Sequence, residues 1–121
     1  PGLRFPEGST KAGQRWCGNN KYEYQFMINQ NYEKYSQGFP VKLSKIGSAW
    51  IALQDQGLVN EDSLYLEGDW SHASELGGFI AALVLARDAL GLDISQNTYS
   101  PPRIDPKQAQ SIQNFLNQKP N

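Results

Sequence analysis

The stretch SHASELGGFIAALVLARDALGLD, Ser71 to Asp93, is the most apolar in the chain and constrains its architecture more than any other. Leu76, Phe79, Ile80, Leu83, Val84 and Leu90 recur at helical spacing and define a broad apolar face. Ser71 is placed to cap the helix start, and Gly91-Leu92 to stop it. The uncharged run covers only residues 76–86, well short of the roughly 20 apolar residues that a membrane span requires. Gly77 and Gly78 each cost about 1 kcal/mol against alanine inside a helix. Close approach of a neighbouring helix offsets that cost, and Gly78 with Ala82 forms the edge expected to receive it. Arg87 and Asp88 fall opposite the apolar face as a surface pair. The segment reads as the central helix of a water-soluble bundle.

The flanking sequence supplies its partners. In KYEYQFMINQNYEKYSQG, Tyr22, Tyr24, Phe26 and Ile28 alternate as in a strand, which leaves residues 21–28 open to either state. Tyr24, Ile28, Tyr32 and Tyr35 step as a helix face that is expected to turn most of these tyrosines to the core, and the length of the segment favours helix, with Gly38 as its stop. A second helix is expected to open at Phe39-Pro40, with Leu43, Ile46, Trp50 and Leu53 as its stripe and Gly57-Leu58 as its cap. Asn60-Glu61-Asp62 predicts a short helix running through Leu66. Beyond a loop that holds Pro101-Pro102, Asp105-Pro106 with Gln108 predicts a capped last helix that buries Ala109, Ile112, Phe115 and Leu116. The expected fold is an all-α bundle of four to five helices, one domain over residues 21–121. Residues 1–20, with four glycines, two prolines and no periodicity, read as an extended N-terminal arm.

Charge gives little direction to function. The formal net charge is −1, which steers the chain neither to nucleic acid nor to acidic membranes. Its distribution is uneven: residues 46–86 hold no Lys or Arg but six acids, while residues 1–45 hold seven bases and three acids. Glu61, Asp62, Glu67 and Asp69 form the candidate acidic face. Internal complementarity between the two regions is the simpler explanation, and a basic partner the alternative. The 11 Gln and 9 Asn are scattered rather than gathered in tracts, which suits a folded polar surface. The chain as given starts at Pro1 and has no glycosylation sequon, which leans towards an exported or organellar protein that has lost a targeting segment.

The search for chemistry yields no catalytic, cofactor-binding or metal-binding set. Cys17 and His72 are the only thiol and imidazole, and nothing in the pattern brings them into one cleft with a third orienting group. Asp69-x-x-His72-x-x-Glu75 is the nearest approach to a metal constellation, but one imidazole among carboxylates is a poor zinc set. No phosphate-binding glycine loop or calcium loop occurs. Trp16, Tyr22, Tyr24, Tyr32 and Tyr35 interleave with Lys11, Arg15, Lys21 and Lys34, which suits stacking on a single-stranded nucleic acid. Glu23 and Glu33 dilute that charge, and a pI of about 5.8 is wrong for a phosphate reader.

Tyr35, Gly38, Phe39, Pro40 and Leu43 resemble, over fewer than ten residues, a turn of type IV pilin-like proteins. An all-helical remainder is unlike the sheet of that family, and membership is not assigned. In general build the chain is similar to small helical extrinsic subunits of membrane complexes such as photosystems. The expected function is therefore a non-enzymatic accessory subunit without cofactor, docking onto a larger protein complex. Phe5, Trp16, Tyr22, Trp70 and Tyr99 are its candidate contacts, because aromatic residues suit interfaces. The alternatives are an inhibitor or immunity protein that plugs a basic active site with its acidic face, and a single-stranded nucleic-acid-binding module.

Overall fold

A computed structural model describes residues 18–69 and 71–118. They form four α-helices, α1 (Lys21–Ser36), α2 (Ile46–Asp55), α3 (Glu75–Asp88) and α4 (Pro106–Gln118), with short 3₁₀ turns at Glu61–Leu64 and Ile94–Gln96. The fold is a small all-α bundle. Residues 21–28, ambiguous by periodicity, are helix. Among the described residues the only β-type pairing is a lone antiparallel bridge between Tyr65 and Ala73. Of the expected arm, residues 1–17 lie outside the described residues.

Helix α3 is the spine, packed against α2 and the first 3₁₀ turn on one side and α4 on another. Ile80 and Val84 of α3 are fully buried, with Leu53 of α2, Leu64 of the turn, and Ile112 and Leu116 of α4 around them. Each such side chain contributes about 1.5–3 kcal/mol by leaving water. Trp50 meets Tyr65 edge-on at 5.3 Å between ring centres, which fixes the wall between α2 and the 65–73 loop.

Three expectations about α3 are corrected. Its cap is Ser74, not Ser71: Ser74 Oγ accepts from the Gly77 N–H at 3.1 Å and donates to the Ser63 carbonyl at 2.5 Å. One hydroxyl thus starts the helix and ties it to the 3₁₀ turn, a double task that Ser71, held in the preceding loop, cannot perform. The close approach falls on Gly77 rather than Gly78. A methyl at Gly77 would run into the Leu64 carbonyl and the Trp50 ring, whereas Gly78 faces open space. Arg87 and Asp88 are not a surface pair. Both side chains are only 11% exposed, bonded to each other at 2.7 Å, and Arg87 Nη1 donates to the Leu116 carbonyl at 2.7 Å. The guanidinium therefore satisfies one of the carbonyls that the end of α4 leaves without an intrahelical partner.

Helix α2 starts at Ile46, six residues after Pro40. The Val41 N–H donates to the Phe39 carbonyl at 2.8 Å, closing a tight turn across the proline that a helix starting there would not contain. Asn60 makes no side-chain cap, and the 3₁₀ turn stops at Leu64, because Tyr65 turns extended to bridge Ala73. The glycine stops hold: Gly57 has φ +71°, Gly91 +66° and Gly38 +80°, left-handed values that glycine adopts without strain. Asp105 caps α4 by accepting from the Lys107 N–H at 2.9 Å. The box expected of Gln108 is not closed, since its amide reaches the Leu58 carbonyl instead, at 3.4 Å. The buried Gln113 locks α4 to the 94–97 turn. It accepts from Asn97 Nδ2 at 2.9 Å and donates to the Asn97 carbonyl at 3.1 Å.

Candidate functional site

Helix α1 is built differently from the other three. Asn20 caps it by accepting from the Glu23 N–H at 2.9 Å, and Glu23 reaches back to the Asn19 N–H at 2.7 Å. This is a variant of the capping box. None of its sixteen residues is fully buried. It rests on α2 through a polar seam. Lys21 donates to Gln54 at 2.8 Å, Asn29 donates to Ser48 Oγ at 2.8 Å, and Glu33 pairs with Lys45 at 2.9 Å. The amide of Gln25 occupies the space that a side chain at Gly47 would need. Tyr22 donates to Asp55 at 2.7 Å. That hydrogen bond raises the Tyr22 pKa above the ordinary phenol value, because ionisation would remove the donor beside a carboxylate.

With the seam polar, the apolar residues of α1 lie on its flanks. Tyr22 and Phe26 lie along one. Tyr24 and Ile28 are half-buried along the other, which continues by helical spacing through Tyr32 and Tyr35; Phe39 and Val41, also exposed, follow the helix end. Tyr35 is 72% exposed, Phe39 66% and Tyr32 65%. The stripe expected to face the core is therefore largely an outward surface. A single exposed apolar residue needs no explanation, but Tyr32, Tyr35, Phe39 and Val41, all exposed within a short stretch of chain, call for one.

The 65–74 loop carries the residues nearest to chemistry. Asp69 Oδ1 accepts from the Ser71 and His72 N–H groups at 2.6 and 2.8 Å, and Oδ2 meets His72 Nδ1 at 2.8 Å. The His72 N–H, then the Ser71 N–H, then the imidazole hold the Asp69 carboxyl well below the usual carboxylate range. Ser71 Oγ also approaches Nδ1, at 3.3 Å. A nucleophile–base–acid relay needs serine and aspartate at opposite ring nitrogens, and here both address the same one. Glu75 turns away to Arg103, at 3.5 Å. Among the described residues no three of His, Cys, Asp and Glu gather into a set that could hold a metal ion.

The remaining predicted residues are dispersed. Tyr99 is exposed on the loop before α4, remote in sequence from α1. Glu67 and Asp62 are exposed, Glu61 is half-buried, and Asp69 is committed to its own loop. Phe5, Trp16, Cys17 and Trp70 lie outside the described residues. Periodicity reasoning missed the seam itself. Its signal was present: Lys21, Gln25, Asn29 and Glu33 step by four along one polar face. No helix among the described residues is long and apolar enough to cross a membrane.

The chain matches no protein-family model, no curated protein and no solved structure.

Proposed function

We propose that this chain is a non-enzymatic helical accessory subunit that docks onto a larger protein assembly. Its docking surface is the Tyr32, Tyr35, Phe39 and Val41 flank of α1, with Phe5 and Trp16 of the N-terminal segment as further contacts. One observation carries the reading: α1 buries none of its residues yet holds large rings more than half exposed. Tyrosine and phenylalanine suit the centre of protein interfaces, where they bury much area for little lost side-chain freedom. Asp69 satisfies itself within its loop, which makes the acidic-face reading the weaker one.

Affinity capture of the wild-type protein, with mass spectrometry of what co-purifies, is compared with capture by the double variant Tyr35→Ser/Phe39→Ser. The wild type retains a defined partner that the variant loses, while the melting temperature stays within about 2 °C, as expected for exposed positions. Retention of the same partner by a folded variant contradicts the reading. Removal of residues 1–16 is expected to weaken the same capture without loss of the helical circular dichroism signal.

A further inference from the structure

A cleft of about 290 Å³ opens between α1, residues 42–47 and the last turn of α3. Ile28, Leu43, Leu85 and Ala89 give it apolar walls. Its volume is near the lower end of the range for small-molecule sites. Three features at its polar end favour an anion. Helix α2 starts there, with Ile46 and Gly47 lining the cleft, and its first turn has no side-chain cap. Uncapped N–H groups and the positive end of the helix dipole attract negative charge. Lys42 lines the cleft and makes no ion pair among the described residues, whereas the charge of Lys45, also in the lining, is matched by Glu33. Ser44, also in the lining, keeps its hydroxyl buried without a hydrogen-bond partner. A buried unpaired hydroxyl costs about 1–3 kcal/mol, so an arriving acceptor gives Ser44 a bond once its χ1 turns towards it. The opposing carbonyl of Leu85 is already taken by the Ala89 and Leu90 N–H groups, at 2.9 and 3.3 Å.

We propose that this cleft binds a small carboxylate with a short apolar tail, the headgroup at the start of α2 with Lys42 and Ser44, the tail along Ile28, Leu43 and Leu85. Ile28 and Tyr32 lie both on the docking flank and in the lining of the cleft, but the proposal does not depend on the identity of any partner. Titration of the full chain with hexanoate, followed by backbone amide NMR shifts, tests it, with acetate and inorganic phosphate as comparison probes. Hexanoate is expected to move the amides of residues 42–48, Leu85 and Ala89 saturably. It binds at least about tenfold more tightly than acetate, because each methylene removed from water is worth roughly fourfold. Ser44→Ala leaves the melting temperature unchanged or raised, since it deletes an orphaned hydroxyl, and weakens hexanoate about three- to tenfold. Lys42→Gln weakens it as well. The proposal is overturned by the absence of saturable shifts at those amides, by phosphate binding as tightly as hexanoate, or by both variants binding like the wild type.

Discussion

Gly77 and Gly78 sit side by side in α3, yet they differ in what a methyl group would meet. The sequence makes both conspicuous, but spacing alone cannot choose between neighbours 100° apart on a helix. The choice follows from where Ser74 starts the helix and which side then faces Leu64. Gly77→Ala is expected to destabilise the fold by roughly 1–3 kcal/mol, since its obstacle is a backbone carbonyl that cannot step aside. Gly78→Ala is expected to stabilise it by up to about 1 kcal/mol through helix propensity. Denaturant unfolding of the two variants checks this contrast, and equal effects would refute it. Asp69 gives a second prediction at this scale. Its folded pKa is depressed, so its contribution is complete above the unfolded value of about 3.9 and is lost as pH falls below it. The stability gap between the wild type and Asp69→Asn should therefore be widest near neutral pH and shrink below about pH 4. A gap that is constant with pH would show that the loop does not depend on the Asp69 charge.

At the scale of elements, helices with one apolar face were legible, and so was the helical state of the polar α1, but not the face by which α1 packs. The stripe Ala109, Ile112 and Leu116 of α4 is buried as its spacing implies. The start of α2 was misplaced because proline suits a first helical position and a tight turn equally well, and only the Val41 to Phe39 hydrogen bond decides between them. In α1 a tyrosine stripe suggested a core face, while the surface that packs is the ladder of Lys21, Gln25, Asn29 and Glu33. Hydrophobic periodicity has no means to register such a seam, because amides and charges score as solvent-facing. The seam makes a specific prediction at Gly47, where a methyl would collide with the Gln25 amide. Gly47→Ala should loosen α1, and Gln25→Ala should remove most of that penalty, a coupling of about 0.5–3 kcal/mol in a double-mutant cycle. Strict additivity of the two changes would mean that Gln25 does not fill that space in solution.

For the whole molecule, α2, α3 and α4 share one buried cluster, and α1 is attached to its side by hydrogen bonds and an ion pair. Exposed polar contacts contribute little each, whereas the cluster combines many buried side chains. Helix α1 should therefore open locally without global unfolding, at a free energy well below that of the core. A helix held so lightly, with its rings outward, can exchange a weak internal contact for a stronger external one, and the docking proposal depends on that hierarchy. Of the contacts expected from the sequence, Tyr22 and Tyr99 are exposed, whereas the spacing of Tyr32 and Tyr35 on the α1 flank points to a core face. The exposure of these two tyrosines was not legible, because it depends on how α1 is rotated against α2. Native-state amide hydrogen exchange tests this most directly. The account predicts that the amides of residues 24–36 exchange well ahead of those in α3 and α4, through an opening insensitive to low denaturant. Exchange of α1 together with α3 in a single global unfolding step would contradict it.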